Sequence, residues 1–316
     1  MTTPDLPQRT LRACVVGSVN VDLFVLVDEL PGRGETVLGR GSRRAVGGKG
    51  ANQAVALSRL GASVAVVGAV GDDDDGHAAA AALAADAVEH GGLRRIADQP
   101  TGLAAITVDA RGENTIVVTA GANESCTPSV VREEGWRIEQ AEVVVAQLEI
   151  PVDSVLEAFG IADARRRLRV LNGAPARPLP DGMFRLTDVL IVNEVEAAML
   201  SEVRHDPEEA AFGLVERGPN VVVVTLGKEG SLAVENTGVV HRAAAHPVTP
   251  VDTTGAGDAF VACFALLHAS GADVAESLHA ANVAAALSTL VPGAQAGLPT
   301  WEQVRATLDG EPTAPG

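Results

Sequence analysis

The chain has 316 residues, of which 47% are hydrophobic and 21% charged, a composition typical of one large or two modest folded domains. Acidic residues outnumber basic residues 41 to 24, and the formal net charge is −17. This charge argues against a protein that covers nucleic-acid phosphates or docks on anionic lipid. Aromatic residues make up only 3% and tyrosine is absent, so the core must be built from Ala, Val and Leu.

The cysteines Cys14, Cys126 and Cys263 lie far apart, without the paired spacing of zinc sites or disulfide frameworks. The first ten residues hold two prolines and an acidic residue, and they lack the apolar core of a signal peptide. No run of about 18 apolar residues indicates a membrane span. The sequence therefore predicts a cytoplasmic protein that binds neither nucleic acid nor membrane.

Short Val-rich runs alternate along the chain with segments that are long enough for helices. Apolar runs that do not alternate with polar residues are typical of strands buried on both faces. The predicted strands are residues 14–16, 64–70, 143–148, 169–171, 189–192 and 221–225. The predicted helices are residues 51–60, 77–90, 152–166, 194–201 and 207–217. Alternation of this kind predicts an α/β fold in which helices flank a parallel sheet.

Two segments, residues 22–46 and 101–119, interrupt this alternation and carry no helix signal. The strands expected in them are residues 23–27, 35–38, 103–108 and 115–118. The last two are joined by a loop that contains a glycine, as in a β-hairpin. We therefore predict a small β-sheet excursion from an α/β core formed by residues 1–21, 47–100 and 120–316.

Polar side chains follow several predicted strands at their carboxyl ends. Asn20 and Asp22 come after the first strand, while Glu149, Asn172 and Asn193 come after later ones. Because ligands bind at this edge of an open parallel sheet, the sequence predicts one cleft that draws residues from the whole chain.

Residues 251–260 place a Gly-rich turn before a buried helix whose first turn holds Asp258. Unpaired backbone N–H groups and the helix dipole at such a turn favour an anion, so a phosphoryl group could bind there. Asp258 could then take a proton from an attacking hydroxyl. The alternative is an acidic residue that only stabilises the helix start, by ~0.3–1 kcal/mol. A second acid six residues earlier, Asp252, favours the functional interpretation.

Residues 47–54, Gly-Gly-Lys-Gly-Ala-Asn-Gln-Ala, lead into another predicted helix. The glycines permit close approach by a ligand, and Lys49 and Asn52 would project from the turn. A plain strand–loop–helix turn is the alternative. The segment is not a Walker A loop, since Gly50 follows Lys49, and no GxGxxG follows the first strand as in a nicotinamide enzyme.

Asn193 and Glu196 lie three residues apart at a predicted strand end, on one face of the following helix. An amide and a carboxylate placed there could hold the water shell of Mg²⁺. A helix cap with an acid in the first turn is the alternative.

The run of acids at residues 72–75 resembles a metal site. It lies between two glycines and before an Ala-rich segment, where adjacent carboxylates favour a solvated helix cap. We therefore interpret these acids as structural.

These segments together resemble the ribokinase-like, or PfkB, family of carbohydrate kinases from residue 17 to about residue 301. The segment 252–260 is specific for the superfamily, and the segment 47–54 is specific for its sugar kinases. The resemblance implies a Rossmann-like three-layer core with a small β lid over the sugar, formed by residues 22–46 and 101–119. It also implies a homodimer formed through the lids.

By motif match, the resemblance implies that Asp258 is the base acting on a primary hydroxyl of the sugar, beside an anion hole formed by Gly255, Ala256 and Gly257. The residues implied to hold the sugar are Asn20, Asp22, Gly48, Lys49, Asn52 and Glu149, together with Asp258. Those implied to contact ATP are Asn193, Thr225, Gly227, Gly230, Gly257 and Asn282. Glu196 is implied to organise Mg²⁺ through water. The residues that match the loop for an activating monovalent cation, K⁺, are Asp252, Thr254, Ser288, Val291 and Gly293.

The sequence departs from the family pattern at three places. Gly173 stands where ribokinases often have Pro, and Val192 stands where the family often has Pro before the Asn of the magnesium motif. Gly297 replaces a frequent Ser at the end of the cation loop, which removes one possible oxygen ligand.

The resemblance leads us to expect ATP-dependent phosphorylation of a sugar primary hydroxyl, and D-ribose to D-ribose 5-phosphate in particular. A kinase for deoxyribose, another furanose or a nucleoside is the alternative in the same class, although few aromatic residues are available to clamp a nucleobase. A non-catalytic sugar-binding regulator on the same fold is the alternative from another class. The intact Asp258 and the intact turn at residues 255–257 argue against such a regulator.

Overall fold

The computed structural model of the protein describes residues 10–310, so the prediction about a signal peptide lies outside the described residues. The strands are β1 (Arg12–Val16), β2 (Asn20–Leu26), β3 (Gly41–Gly47), β4 (Ser63–Gly71), β5 (Glu89–Ile96), β6 (Gly102–Val108), β7 (Asn114–Thr119), β8 (Val143–Ala146), β9 (Leu168–Asn172), β10 (Val189–Asn193), β11 (Val221–Thr225), β12 (Ser231–Glu235) and β13 (Val240–Ala243). The α-helices are α1 (Lys49–Arg59), α2 (Asp74–Ala85), α3 (Pro128–Glu133), α4 (Gly135–Gln140), α5 (Val152–Ala164), α6 (Asp181–Leu186), α7 (Glu194–Ser201), α8 (Pro207–Val215), α9 (Ala256–Ala269), α10 (Val274–Ser288) and α11 (Trp301–Leu308).

The large sheet has the strand order β13-β12-β11-β10-β9-β8-β1-β4-β5. Its strands run in one direction except β12, which is antiparallel to both of its neighbours. Alternate side chains of each strand feed two separate cores, as Ala13 and Val15 face one side and Cys14 and Val16 the other. Helices α1, α2, α9 and α10 cover the first face, and α3 to α8 cover the second. This arrangement confirms the predicted three-layer α/β fold.

The small sheet, which consists of β2, β3, β6 and β7, has the order β3-β2-β6-β7. β2 and β6 are parallel, and β3 and β7 pair antiparallel with them at the two edges. The predicted hairpin is confirmed by the pairing of β6 with β7, which closes at Val108 opposite Asn114. The strands come from the two segments that interrupt the α/β pattern, while the role of this sheet as a lid domain stays a prediction.

Several sequence-based assignments of elements are wrong. Residues 35–38 form no strand, and Leu38 is 92% exposed; the strand paired with β2 is instead the polar β3. The predicted helix 77–90 ends at Ala85, because Ala87 adopts a left-handed φ of 56° and the chain enters β5. β5, β12 and β13 were not predicted, and β5 and β13 are edge strands whose polar residues give no apolar run.

The acids at residues 72–75 are structural, as predicted. The carboxylate of Asp73 caps α2 by accepting from the Gly76 N–H at 2.7 Å, and it also accepts from the N–H (2.8 Å) and hydroxyl (2.6 Å) of Thr101. Asp75 pairs with Arg44 of the small sheet at 2.6 Å. Within residues 10–310, no group of three or more His, Cys, Asp or Glu side chains could hold a metal ion.

No helix in the described part of the chain is both long enough and apolar enough to span a bilayer. The cytoplasmic location stays a prediction.

Candidate active site

A cavity of about 230 Å³ lies at the carboxyl edge of the large sheet. Of the polar residues that follow the strands, Asn172 and Asn193 line it, whereas Asn20, Asp22 and Glu149 do not. The predicted site residues in its wall are Lys49, Asn193, Glu196, Thr225, Gly255, Gly257 and Asp258. Asn172, which the sequence placed at the carboxyl end of a strand, and Thr253, which was not predicted, also line it. The structure thus brings residues 49 to 258 together in one cleft, as expected for a parallel sheet.

The Gly-rich turn at residues 255–257 opens helix α9 toward this cavity. Gly255 has a φ of 82°, and a Cβ at this position would lie 2.5 Å from the carbonyl oxygen of Ala294, so only glycine fits. No side chain among the described residues caps α9. The N–H of Ala256 donates to the Thr253 carbonyl oxygen at 3.2 Å, whereas the N–H groups of Gly257 and Asp258 have no backbone acceptor among the described residues. Such an uncapped helix start is suited to bind a phosphoryl group.

Asp258 lies in the first turn of α9 and is only 6% exposed. Its Oδ2 accepts a hydrogen bond from Asn52 Nδ2 at 2.9 Å, and its Oδ1 accepts one from Gln53 Nε2 at 2.9 Å. Burial raises the pKa of Asp258, although Lys49 and the two amide donors act in the opposite direction. A carboxylate with a raised pKa beside an anion site is suited to general-base catalysis.

The glycines of residues 47–50 make room for the protein's own backbone. Gly48 has a φ of 88°, and a Cβ there would lie 2.8 Å from the backbone nitrogen of Asn20. A Cβ on Gly50 would lie 2.6 Å from the backbone nitrogen of Ser18. These close approaches dock the start of α1 against the end of β1, which places Asn52 beside Asp258.

A second group of carboxylates lies on the side of the small sheet. Asp22, on β2, is 8% exposed and has no hydrogen-bond partner among residues 10–310. Burial and the nearby Glu149 raise the pKa of Asp22 to about 6, while Arg43 opposes the shift. A buried carboxylate without a partner is costly, so its position favours a ligand that donates hydrogen bonds.

Glu149 and Lys49 connect Asp22 to the rest of the site. Glu149 Oε2 accepts from the Ser18 hydroxyl at 2.6 Å and from the backbone N–H of Lys49 at 3.0 Å. Burial opposes a charge on Lys49, yet Asp258, Glu149 and Glu196 together hold the pKa of its ammonium above the usual range. Lys49 is therefore the cation at the centre of the carboxylates.

The side chain of Asn20 is fixed by a hydrogen bond from Asn123, whose Nδ2 donates to Asn20 Oδ1 at 2.7 Å. Asn123 is itself fixed, because its Oδ1 accepts from the backbone N–H of Val19 at 2.9 Å. The side-chain amide of Asn20 is thereby oriented by its neighbours.

A second cavity, of about 470 Å³, lies on the other side of the Gly-rich turn. Its wall contains the predicted nucleotide contacts Thr225, Gly227, Gly230 and Asn282. Its apolar lining includes Ala245, Pro247, Val248, Phe260 and Ala286. Asn282 Nδ2 donates to Ser231 Oγ at 3.0 Å and to the carbonyl oxygen of Ala243 at 3.1 Å. Because the two cavities share Thr225, Thr253 and Gly257, they meet at the anion-binding turn.

Asn193 and Glu196 form the helix cap that was the alternative to a magnesium site. Asn193 Oδ1 accepts from the N–H of Glu196 at 2.8 Å, and Glu196 Oε2 accepts from the N–H of Asn193 at 2.9 Å. The cap does not remove Glu196 from the cleft, because both side chains line the first cavity. Burial raises the pKa of Glu196, against the effects of the Asn193 N–H and Lys49.

Two residues of the predicted cation loop, Thr254 and Gly293, hydrogen-bond to the carboxylate of Asp252. Its Oδ1 accepts from the N–H (2.9 Å) and hydroxyl (2.7 Å) of Thr254, and its Oδ2 accepts from the N–H of Gly293 at 2.8 Å. Partial burial opposes the charge, but these hydrogen bonds hold the pKa of Asp252 below its usual range. The Ser288 hydroxyl donates to the Ala285 carbonyl at 2.8 Å, within its own helix.

Gly297, where the family often has Ser, is explained by close packing in this loop. A Cβ at Gly297 would overlap the carbonyl oxygen of Ser288 and would lie 3.2 Å from that of Val291. The loop therefore folds more tightly than a side chain at this position permits.

Three polar residues near the site were missed by sequence reasoning, namely Gln53, Thr253 and Arg43. Gln53 and Thr253 stand inside the segments 47–54 and 251–260, but neutral polar side chains carry no charge signal that would single them out. Arg43 lies on β3, with its guanidinium carbon 3.7 Å from the ring centre of Phe24, and it lowers the pKa of both Asp22 and Asp252. Its strand was not recognised because it is polar.

A profile described as "pfkB family carbohydrate kinase" matches residues 10–301. The chain belongs to the pfkB family of carbohydrate kinases. The family and fold class predicted from the sequence are thereby confirmed, while the roles of individual site residues stay predictions.

Relatives in this family are similar along nearly their whole length. Ribokinase of Bacillus subtilis is 40% identical over 93% of this chain and 98% of its own length. Deoxyribokinase of Salmonella typhi is 32% identical over 93% of this chain and 97% of its own. The structure of Arabidopsis thaliana ribokinase complexed with ribose and ATP has a TM-score of 0.87 and 30% identity, with 94% of this chain and 98% of that chain covered.

The shape of the anion-binding turn predicts opposite effects for two neighbouring glycines. Gly255→Ala should lower the free energy of unfolding by ~1–3 kcal/mol, because alanine meets both a left-handed φ and the Ala294 carbonyl. Gly257→Ala is the matched control, since a Cβ there meets no atom within 4 Å. In the first turn of α9 it should be neutral or stabilising by ~0.5–1 kcal/mol. Urea denaturation measures both, and equal effects would contradict the assigned turn geometry.

Proposed function

We propose that this carbohydrate kinase transfers the γ-phosphoryl group of ATP to the primary hydroxyl of D-ribose, giving D-ribose 5-phosphate. The observation that carries the proposal is a buried carboxylate, Asp258, placed directly beside an uncapped helix start. Ribokinase relatives at up to 40% identity over nearly the full chain support ribose as the substrate. The deoxyribokinase relative keeps 2-deoxyribose as a second candidate.

Different residues of the chain have different roles in the proposed reaction. Asp258 takes the hydroxyl proton as the sugar oxygen attacks the γ-phosphorus. The N–H groups of Gly257 and Asp258 bind the negative charge on the transferred group, and Lys49, which also lines the cavity, adds positive charge. The low exposure of Asp258 keeps water away from the base.

The sugar is held between the small sheet and the large sheet. Asp22 and Glu149 accept hydrogen bonds from sugar hydroxyls, while Asn20 and Asn52 present oriented amides. The unpartnered carboxylate of Asp22 supports this assignment, because hydroxyl donors would satisfy it.

The nucleobase of ATP occupies the second cavity. Its apolar wall suits a flat base, and its junction with the first cavity at Gly257 leads the phosphates to the start of α9. Asn282, Thr225, Gly227 and Gly230 surround the space where the nucleoside would lie.

The donor set of the cleft also fits Mg²⁺, which prefers oxygen ligands and keeps most of its water. Glu196 lines the phosphate cavity with Asn193 next to it, so the two would hold the water shell of the ion. Bound there with ATP, Mg²⁺ supplies neutralisation of phosphate charge. Asp252 and the carbonyl groups of Ser288 and Val291 likewise offer oxygens suited to K⁺.

A comparison of sugars tests the proposed activity. We expect ADP release with ribose to exceed that with 2-deoxyribose, fructose or adenosine, and Asp258→Asn to lower kcat by at least ~10²-fold. Sugar binding, measured by calorimetry, should weaken far less in this variant. A higher kcat/KM with deoxyribose would favour the second candidate, and sugar binding without ADP release would favour a non-catalytic regulator.

The raised pKa of Asp22 predicts how sugar binding depends on pH. The ionised carboxylate accepts hydroxyl donors, and protonation below pH ~6 removes this acceptor, so the sugar KM should rise roughly tenfold from pH 7.5 to 5. Asp22→Asn should have a high sugar KM that changes little with pH, because an amide does not titrate. The KM for ATP is the internal control; a parallel rise in both constants would contradict a role specific to the sugar.

The cation loop predicts activation by K⁺. An ion held by Asp252 would order the turn at residues 255–257, and misplacing one such N–H donor can cost ~10²-fold in rate. We expect kcat to rise severalfold when K⁺ replaces Na⁺ at fixed ionic strength, and Asp252→Ala to abolish the difference. Identical rates in the two salts would contradict the cation site, while the proposed kinase activity would stand.

We also propose that two copies pair through their small sheets. β7 is an edge strand, and its residues Ile116, Val117 and Val118 are all more than half exposed. An exposed apolar edge strand promotes aggregation unless another chain covers it. A second copy of this chain is the occupant that the proposed homodimer supplies.

Light scattering after gel filtration tests the dimer. We expect twice the chain mass for the unmodified protein and the single-chain mass for the double variant Ile116→Lys, Val118→Lys, since lysines on one face of β7 would repel across the interface. Met199→Lys, a change at an exposed apolar residue of α7, should leave the dimer intact. A single-chain mass for the unmodified protein at micromolar concentration would refute the proposal.

A further inference from the structure

A chain of buried amide side chains lies behind Asp258 and has no part in the functions proposed so far. Gln147 Nε2 donates to Gln53 Oε1 at 2.6 Å, and Gln53 Nε2 donates both to Asp258 Oδ1 at 2.9 Å and to Asn172 Oδ1 at 3.1 Å. Gln53 and Gln147 are both 0% exposed. Neither can therefore touch a sugar or a nucleotide.

The orientation of the Gln53 amide is fixed by its neighbours. Asn172 Nδ2 donates to the carbonyl oxygen of Ile191 at 3.2 Å, so Asn172 must turn its oxygen toward Gln53. If Gln53 were turned over, its own oxygen would face the oxygens of Asn172 and Asp258, and neither of these could donate to it. Only the orientation with the NH₂ group toward Asp258 satisfies all three side chains.

The two oxygens of Asp258 are consequently unequal. Oδ1 accepts from Gln53, which is locked in the core, whereas Oδ2 accepts from Asn52, which lies on the side where the sugar is proposed to bind. We propose that Gln53 is a positioning residue that keeps Oδ1 as a permanent hydrogen-bond acceptor, so that Oδ2 is the atom that receives the proton of the substrate hydroxyl. The proposal rests on the base role given to Asp258 above.

The step balances with this assignment. The O–H bond of the sugar breaks and its proton goes to Oδ2, the sugar oxygen bonds to the γ-phosphorus of ATP, and the bond between that phosphorus and the bridging oxygen breaks to release ADP. Oδ1 keeps its hydrogen bond from Gln53 before and after the transfer. No buried amide has to turn over, so the site is organised in advance for the proton.

The hydrogen bond from Gln53 also affects the acidity of the base. Lys49 and the amides of Asn52 and Gln53 lower the pKa of Asp258, while Glu149 raises it. Asp258 in turn raises the pKa of Asp22 on β2, so these two carboxylates disfavour each other's charge. Loss of the Gln53 donor should therefore raise the pKa of Asp258 further. The acid limb of the pH profile, the range in which kcat falls as the base becomes protonated, should then move to higher pH.

Gln53→Met tests the assignment, because it removes the donor and keeps a side chain of similar length. We expect kcat with ribose and ATP to fall roughly 10- to 100-fold, the range for residues that orient a reacting group from behind. Both KM values should stay within about threefold, and the acid limb should shift upward. Gln147→Met is the matched control, since Asn172 still holds Gln53 against Asp258; its kcat should stay within about threefold.

Gln53→Glu is the second variant and keeps the shape of the side chain if Gln53→Met fails to fold. Two adjacent carboxylates share a proton, so its acid limb should shift further upward than that of Gln53→Met. Equal kcat values for Gln53→Met and Gln147→Met, or an acid limb that stays in place in Gln53→Glu, would overturn the assignment while ribose kinase activity stands. No ADP release by the unmodified protein with any sugar would instead overturn the proposed function and the base role with it.

Discussion

The buried carboxylate of Asp258 is the constraint on which the rest of the site depends. A carboxylate removed from water needs donors and a cation, and α1 supplies all of them through Asn52, Gln53 and Lys49. Helix α1 can reach Asp258 only because Gly48 and Gly50 let its start lie against the backbone of residues 18–20. The glycines of this loop thus allow the packing that brings the donors of α1 to Asp258, while their direct approach to a ligand stays a prediction.

The other charged groups of the cleft also need partners of opposite charge. Asp258, Glu149 and Glu196 lie near one ammonium group, that of Lys49, and under the proposed function a protein with a net charge of −17 must still accept a polyanionic nucleotide. Backbone N–H groups at the start of α9 bind an anion without bringing a further formal charge. Donors of this kind would let an acidic chain hold a phosphoryl group without a basic surface.

The sequence predicted the parts of the molecule whose signals are local. The central strands have Val-rich runs because they are buried on both faces, and the Gly-rich turns are recognisable because a positive φ at Gly255 requires that residue. Edge strands such as β5 were not predicted. An edge strand pairs with one neighbouring strand only and is less buried, so its sequence needs no apolar run. The hydrogen bonds of Gln53 were not predicted for a different reason. Gln53 is a neutral residue whose partners, Gln147 and Asp258, lie more than 90 residues away in the sequence, and hydrophobic periodicity carries no information about such contacts.

Continuity of the chain from β2 to α1 joins recognition of the sugar to activation of its hydroxyl. Asp22 sits on β2 over Gly47, and Asn20 pairs in register with Gly47, the last residue of β3. Two residues further on, α1 begins, and its first turns hold Asn52 and Gln53 against Asp258. The strand pair that carries Asp22 therefore leads directly into the helix that supplies both amide donors of Asp258. Under the proposed function, the side chain that recognises the sugar and the side chains that orient the base thus lie on adjoining elements, because β3 pairs with β2 and is followed by α1.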